Sequence, residues 1–121
     1  MAIDETSVTN KILIAVSKEG ARLFRNVRGL FLTLDGTRKV AAGLGVKGSS
    51  DLIGYTPIKI TPEMVGRTIA VFTAIEVKTQ AGYASFDQKT FVQNVLDNGG
   101  FAGIARNDDD AIKIIKLPLD M

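Results

Sequence analysis

A helical pattern lies between two apolar segments in the second half of the sequence, and this arrangement most constrains the fold. Residues 85–96 carry apolar side chains at helical spacing, and Asn98 with two following glycines ends the segment. Residues 68–78 before it and residues 101–105 after it have the apolar composition of strands. A helix between two core strands favours a mixed sheet covered by helices, which places the chain in the α/β class.

The first half adds a helix, a hairpin and further strands. Asp35-Gly36 between two apolar runs is a turn signal that predicts the hairpin, and Gly20 is the predicted stop of the first helix. The predicted order is αβββαβ with the hairpin added early, in one domain spanning residues 1–121. The remaining predicted elements are a helix over residues 6–18, strands over 22–24, 30–34, 38–42 and 51–55, and a last helix from near Asn107 to before Pro118.

The sequence contains no histidine and no cysteine. Their absence excludes histidine-based triads, zinc sites built on imidazole or thiolate, and disulfides. Asp, Glu, Lys, Ser and Tyr remain as the residues for chemistry. The apolar run over residues 12–16 is far too short to cross a bilayer, so we expect no membrane association and a cytoplasmic location.

Two carboxylates and one amine form the most specific chemical pattern. Glu76 and Lys78 stand two residues apart on a predicted strand, so their side chains project from one face, and Asp51 opens an earlier strand. Carboxylate oxygens suit Mg²⁺ or Mn²⁺, and a nearby ammonium orients water or offsets charge on a phosphate. The pattern indicates metal-dependent phosphodiester cleavage. The alternatives are a structural ion pair for Glu76 and Lys78, and a turn or cap role for Asp51.

Basic residues are concentrated between residues 18 and 47. The local excess of five positive charges is suited to neutralise phosphates, whereas the whole chain has a net charge of only +2. We assign Arg38 and Lys39 as nucleic-acid contacts, and the alternative is the solvated face of a basic protein. The stretch contains two acidic residues, Glu19 and Asp35, and seven basic ones: Lys18, Arg22, Arg25, Arg28, Arg38, Lys39 and Lys47.

An ordered set of motifs resembles a known nuclease family. In chain order the motifs are LFRN (23–26), GSSDLIG (48–54), AIEVKT (74–79), Ser85 with Gln88-Lys89, and GGFAGIAR (99–106). Together they resemble the virus-type replication-repair nuclease domain of the PD-(D/E)xK nuclease superfamily, over residues 20–111. The resemblance implies a restriction-endonuclease-like PD-(D/E)xK core, with a mixed central sheet flanked by helices. The small size is similar to that of stand-alone phage and bacterial members, which implies action in a bacterial host cell.

The resemblance implies a role for each matching residue. Asp51 and Glu76 are the implied ligands of Mg²⁺, which Mn²⁺ can replace, and the Val77 carbonyl is a further ligand. Lys78 is the implied catalytic lysine. Gln88 matches an accessory polar position of the family.

Other positions follow the family less closely. A further acidic residue is usual on the first helix, and Glu5 is the best match, with Ser7 at the alternative position. Ser50 departs from the superfamily, in which a proline often precedes the first acid, although the Gly-Ser-Ser-Asp form is familiar in this family. Arg25, Ser49 and Ser50 are expected to contact nucleic acid.

The resemblance also implies a substrate and an assembly. Small members act on branched DNA as homodimers, and a four-way (Holliday) junction is the expected substrate, because two sites about a twofold axis suit paired nicks. Leu30, Phe31 and Leu32 are candidates for the dimer interface, with core packing as the alternative. Two other functions stay open: a flap or branched-DNA nuclease or nickase on the same fold, and a non-catalytic nucleic-acid-binding module.

Two polar groups have competing interpretations. Ser85 and Gln88 have the spacing of a capping box, so Gln88 is assigned to the helix cap, to the site, or to both. Asp108-Asp109-Asp110 resembles a metal cluster, but three acids at the start of a helix complement its dipole. We assign that cluster to the helix start.

Overall fold

The structure is a computed structural model that describes residues 4–27 and 29–116. Arg28 and Pro118, which entered the predictions above, lie outside the described residues. The chain divides into two compact units, Met1–Thr56 (unit 1) and Pro57–Met121 (unit 2), and each is described by itself. Both units combine helix and strand, which confirms the α/β class. The single domain over residues 1–121 stays a prediction.

Unit 1 begins with helix α1, Glu5–Lys18, which confirms the predicted first helix. The Asp4 carboxylate accepts a hydrogen bond of 2.7 Å from the Ser7 N–H and so caps the first turn. Gly20 adopts a φ of 94°, the left-handed conformation that commonly ends a helix. These local signals fix both ends of α1.

The strands of unit 1 pair as two antiparallel ladders. Strand β1, Arg22–Arg25, pairs with β4, Leu52–Tyr55. Strand β2, Gly29–Leu32, pairs with β3, Lys39–Ala42, and forms the predicted hairpin. The second ladder is shorter at its turn than predicted, because residues 33–38 form the hairpin tip.

The hairpin tip is built around the carboxylate of Asp35. Its Oδ1 accepts hydrogen bonds from the Thr33 hydroxyl (2.5 Å), the Thr37 N–H (3.0 Å) and the Thr37 hydroxyl (2.7 Å). The Thr33 hydroxyl, followed by the two Thr37 donors, lowers the pKa of Asp35 to about 2. Gly36 beside it adopts a φ of 73°, as the turn signal requires.

Unit 2 contains a parallel strand pair with helices. Strands β5, Thr73–Val77, and β6, Phe101–Ala105, pair in parallel, and helix α2, Phe86–Asp97, connects them. Helix α3, Asp108–Ile114, follows β6, and a short 3-10 helix, Pro62–Met64, precedes β5. The predicted strand–helix–strand arrangement is therefore confirmed.

Helices α2 and α3 cover opposite faces of the β5–β6 pair. A Cβ atom at Gly103 would lie 2.8 Å from the Ile114 side chain, so α3 packs closely on that face of β6. Glu76 pairs with Ile104, one residue beyond Gly103, and therefore projects from the other face. On that face lies α2, since a Cβ at Gly100, which alternation puts on the same side as Ile104, would lie 2.6 Å from the buried Val95 side chain. The layering is that of an α/β unit.

The strand predicted over residues 68–78 is wrong in length, since β5 begins only at Thr73. Thr73 pairs with Phe101, the first residue of β6, and the Phe101 N–H donates to the Phe72 carbonyl at 2.9 Å. Before Phe101 the chain forms the turn that ends α2, with Gly99 at a φ of 89°. Residues 68–72 thus lie beyond the end of the ladder.

The acidic run Asp108-Asp109-Asp110 fills the first turn of α3. Asn107 is the N-cap, and its side-chain oxygen accepts from the Asp110 N–H at 2.8 Å. The Asp110 carboxylate in turn accepts from the Arg106 N–H at 3.0 Å. This arrangement agrees with the assignment of the acids to the helix start.

Within the described residues the strands form three two-stranded ladders, two antiparallel and one parallel. None of these described sheets combines parallel and antiparallel pairs, so the predicted mixed central sheet is not observed in this part of the chain. The PD-(D/E)xK core remains a proposal. In the part of the chain that the structure describes, no helix is long and apolar enough to cross a membrane.

Candidate active site

Glu76 and Lys78 form an ion pair on the α2 face of β5. The Lys78 Nζ lies 3.4 Å from the Glu76 Oε1, and the side chains are 21% and 30% exposed, respectively. The alternation of strand side chains puts both on one face, as predicted, and leaves Val77 exposed on the other. Partial burial strengthens the attraction between the charges relative to open solvent, yet leaves both groups within reach of a ligand.

Gln88 belongs to the start of α2 and also to a cavity beside Glu76. The side-chain oxygen of Gln88 accepts from the Ser85 backbone N–H at 2.9 Å. The backbone N–H of Gln88 donates to the Ser85 hydroxyl at 3.1 Å, and the two bonds confirm the capping box. Glu76, Gln88 and Phe91 line a cavity of about 370 Å³ between β5 and α2. The cap uses the amide oxygen of Gln88, so its NH₂ group is the part suited to a ligand.

The backbone of β5 turns the Val77 carbonyl away from β6. The Lys78 N–H donates to Ala105 and the Phe72 carbonyl accepts from Phe101, so the even-numbered residues of β5 bond to β6. In a parallel ladder the N–H and C=O of one residue point the same way, and successive residues alternate. The Val77 carbonyl therefore points to the opposite edge of β5, away from β6.

In unit 1, Glu5, Arg25 and Asp51 line one pocket of about 380 Å³. Glu5 stands in the first turn of α1, and Thr9, one turn later, lines the same pocket. Arg25 ends β1, and its guanidinium donates a hydrogen bond to the side-chain oxygen of Asn10 on α1. The pocket is thus lined by two acidic residues and by an arginine whose guanidinium is already bonded to α1.

Asp51 immediately precedes β4, and a hydrogen-bond network around Asn26 holds the loop before it. The Asn26 amide group donates to the Ser49 hydroxyl and the Ser50 carbonyl, each at 2.9 Å, and its oxygen accepts from the Leu44 N–H at 2.9 Å. The Asn26 backbone N–H donates to the Asp51 carbonyl at 2.8 Å. Asn26 is therefore a common hydrogen-bond partner of Asp51 and of Ser49 and Ser50, the two predicted nucleic-acid contacts.

Arg38 and Lys39 lie on the hairpin of unit 1. Lys39 begins β3 and Arg38 precedes it, and both are exposed. The Arg38 carbonyl accepts from the Thr33 N–H at 2.9 Å, so the backbone at the hairpin tip is fixed while the two cationic side chains face solvent. Such positions suit contacts to phosphates.

Sequence reasoning gave no role to two residues that support the site, Asn26 and Arg106. The Arg106 Nη1 donates to the carbonyls of Thr79 (2.5 Å) and Gly82 (2.6 Å), in the loop that follows Lys78. Both residues occurred only as members of motifs, LFRN and GGFAGIAR. Their partners are distant in sequence, and the one available signal was a strongly polar side chain directly after a strand.

Most predicted site residues thus fall into one group in each unit, with Arg38 and Lys39 apart on the hairpin of unit 1. The two groups are Glu5, Arg25, Ser49, Ser50 and Asp51 in unit 1, and Glu76, Val77, Lys78 and Gln88 in unit 2. Among residues 4–27 and 29–116, no three acidic side chains gather in a metal-sized cluster. Comparison of the chain with protein-family models, curated proteins and solved structures found no match.

Proposed function

We propose that this protein is a Mg²⁺-dependent DNA endonuclease of the virus-type replication-repair class, with the PD-(D/E)xK core that this class implies. The observation that carries the proposal is the Glu76–Lys78 ion pair of 3.4 Å on the half-buried face of β5. An ammonium beside a metal-binding carboxylate at a ligand-accessible position is one arrangement that supports metal-dependent phosphodiester cleavage. The ordered sequence motifs also support a catalytic role for this pair, because Glu76 and Lys78 occupy the positions that the family resemblance assigns to catalysis.

The donor groups suit a hard divalent cation. Asp51, Glu76 and Glu5 offer carboxylates, and Val77 offers a backbone carbonyl directed away from β6. When bound, Mg²⁺ would activate water and neutralise charge that develops on the phosphate, and Mn²⁺ would substitute. Lys78 would orient the attacking water through its ammonium group, and the Gln88 NH₂ group would donate to the water or the phosphate.

Phosphate recognition is assigned to unit 1. The guanidinium of Arg25 shares a pocket with Asp51, and its bond to Asn10 fixes it at little further entropic cost on binding. Exposed Arg38 and Lys39 extend the positive surface along the hairpin. Contacts of this kind bind the DNA backbone without reading sequence, which suits recognition of DNA shape.

We further propose a homodimer that acts in the cytoplasm of a bacterial host. Leu30, Phe31 and Leu32 of β2 are all exposed, Leu30 to 68%, so their apolar surface is available to a second chain. A two-stranded hairpin gains stability when such a surface is covered. Two sites about a twofold axis would match the symmetry of a four-way junction.

Cleavage of synthetic DNA tests the proposal. The protein should cut a four-way junction in Mg²⁺ or Mn²⁺, cut linear duplex poorly, and lose activity in excess chelator. The double variant Asp51→Asn/Glu76→Gln, purified identically, controls for a contaminating nuclease. Undiminished cleavage in chelator, or no cleavage of any branched substrate, would refute the proposal. Faster cleavage of flaps than of junctions would instead indicate a single-site nuclease on the same fold.

Assembly is tested separately. Sedimentation at assay concentrations should give about twice the chain mass of 13.0 kDa. A supercoiled cruciform plasmid should pass mainly to linear product, because two linked sites nick both strands in one encounter. A monomer that accumulates nicked circles would overturn the dimer while leaving the nuclease assignment intact.

A further inference from the structure

Asn26 is a buried polar residue of unit 1. Its relative exposure is 8%, and it directly follows β1. Burial of an amide is unfavourable unless its hydrogen-bonding groups are satisfied. Here both N–H donors and the oxygen of the side chain have partners, at 2.9 Å in each case.

The partners of Asn26 are distributed along one loop, which runs from Leu44 to Asp51. The side-chain oxygen binds the start of the loop at the Leu44 N–H, and the NH₂ group binds Ser49 and Ser50 near its end. The backbone N–H of Asn26 then binds the carbonyl of Asp51 itself at 2.8 Å. One residue thus joins both ends of the loop to the end of β1.

The loop has few restraints of its own, so hydrogen bonds to Asn26 are needed to order it. Gly45 and Gly48 lie within it, Gly48 has a φ of 84°, and a Cβ at either glycine would have nothing within 4 Å. Glycines without neighbouring contacts leave a loop many accessible conformations in the absence of other restraints. Side-chain packing at the two glycines therefore contributes little to the order of the loop. Its order depends on the hydrogen bonds of Asn26 and on one turn bond, from the Ser49 N–H to the Val46 carbonyl at 3.1 Å.

We propose that Asn26 is a positioning residue for the nuclease reaction, which presents the Asp51 carboxylate to the metal ion and the Ser49 hydroxyl to a DNA phosphate. The inference rests on the proposed function. The Ser49 Oγ accepts the N–H of Asn26, so its own hydrogen is directed to a different acceptor. Asn26 also lines the pocket of Asp51 and Glu5, where loss of loop order would spread the position of the first carboxylate.

Two substitutions test this role. Asn26→Ala removes all three side-chain bonds, whereas Asn26→Asp retains an acceptor for the Leu44 N–H and loses both donors. Both keep the backbone bond to Asp51. Partners that orient metal ligands are typically worth about 10- to 100-fold in metal affinity or activity. We therefore expect kcat to fall by about that factor, with a higher Mg²⁺ requirement and a smaller rise in KM for the junction, since one of several phosphate contacts is also disturbed.

A second readout does not depend on activity. Hydrogen exchange of the wild-type protein should show protection at the Leu44 amide, and Asn26→Ala should abolish it while the amides of α2 and β6 exchange as before. Asn98→Ala is the matched control, because the Asn98 side chain also donates to a backbone carbonyl, that of Asn94, at the end of α2. It should leave the 44–51 loop and the Mg²⁺ requirement unchanged.

The outcomes separate the two proposals. If wild-type protein cleaves DNA and folded Asn26→Ala retains full activity, Mg²⁺ requirement and loop protection, the positioning role is overturned. If wild-type protein cleaves nothing, the nuclease proposal fails. Unchanged exchange of the loop amides in Asn26→Ala would independently show that Asn26 does not order the loop. Should Asn26→Ala not fold, Ser49→Ala removes a single partner. Faster exchange of the loop in that variant supports the role, and unchanged exchange refutes it.

Discussion

Units 1 and 2 hold their candidate site residues by different means. In unit 2, Val95 and Ala105 are buried, and α2 and α3 pack on opposite faces of β5 and β6. In unit 1, the described buried residues are the small Ala21 and the polar Asn26. Glu76 and Lys78 are therefore positioned by apolar packing beneath a helix, whereas Asp51 is positioned by hydrogen bonds. Changes in side-chain volume should disturb the first group, and loss of single polar groups should disturb the second.

The two units also differ in charge. Unit 1 contains eight basic and five acidic residues, and unit 2 contains seven basic and eight acidic residues. The net charges are thus +3 and −1, so unit 1 has the surface suited to the DNA backbone. We expect substitutions in unit 1 to change affinity and its salt dependence, and substitutions around Lys78 to change turnover.

The largest expected effect is the loss of cleavage when a candidate metal ligand is removed, from unit 1 or from unit 2. Asp51→Asn and Glu76→Gln should each lower cleavage of a four-way junction by about 1,000-fold or more, since loss of metal coordination removes several kcal/mol of transition-state stabilisation. Folding should persist, because Asp51 bonds to Asn26 through its backbone carbonyl, and the ion pair of Glu76 is only partly buried and contributes modestly. Steady-state cleavage and thermal unfolding measure the two effects.

Charge-matched controls lie outside the site. Asp97→Asn, at the end of α2, and Glu19→Gln, at the C-cap of α1, should retain wild-type cleavage. If only one of the two site carboxylates proves essential, the proposal that Asp51 and Glu76 are both metal ligands is wrong.

The next effect separates turnover from affinity. Lys78→Ala should reduce kcat by about 100-fold, as loss of a preorganised transition-state contact does, with little change in junction affinity. Arg38→Ala and Lys39→Ala should weaken binding and reduce its salt dependence by about one counterion each. Single-turnover cleavage and binding titrations at several salt concentrations measure these effects, and Lys116→Ala is the control. Similar behaviour of all three variants would make Lys78 another phosphate contact.

Two glycines test the packing difference directly. A Cβ at Gly54 in β4 would lie 1.9 Å from the Arg22 carbonyl, and Gly54→Ala should lower the free energy of unfolding by about 3 kcal/mol. A Cβ at Gly103 would meet the Ile114 side chain at 2.8 Å, so Gly103→Ala should cost about 1–2 kcal/mol, because a side chain yields more readily than a backbone carbonyl. Denaturant unfolding measures both.

Gly45→Ala is the control for these two substitutions. Its Cβ would have nothing within 4 Å, so the free energy of unfolding should change by less than about 1 kcal/mol. Equal costs at all three positions would show that the close approaches at Gly54 and Gly103 do not determine the stability of their units.

The smallest effect concerns the hairpin tip. The pKa of Asp35 is lowered from 3.8 to about 2, so its contribution to stability is fully present above pH 4 or so and is lost as pH falls through about 2. The NMR shift of the Thr37 amide, which donates to Asp35, should follow that titration. Asp35→Asn should abolish this pH-dependent shift of the Thr37 amide, and the amide shifts of α2 should not change over the same pH range. A midpoint near 3.8 would show that the tip is not formed in solution.

Elements with local signals could be predicted from the sequence, and features set by distant partners could not. The capping box of Ser85 and Gln88 and the turn at Asp35-Gly36 are specified within a few residues, and both were found. The extent of β5 depends on where β6 begins, so residues 68–72 were assigned wrongly. Strand alternation sufficed to place Glu76 beside Lys78. The role of Asn26 could not be inferred, since its side-chain partners lie 18 to 24 residues away.

The dual use of Gln88 limits how this site can change by mutation. The residue that starts α2 also lines the cavity beside Glu76, so most replacements would weaken the helix and alter the cavity together. Glutamate is the exception, because a capping box accepts either residue and a negative charge suits the first turn of a helix. A library randomised at position 88 and selected only for folded protein should return Gln and Glu, whereas selection for cleavage should discriminate between them. Directed evolution of this pocket would therefore progress more readily at neighbouring positions such as Phe91, which has no part in the cap.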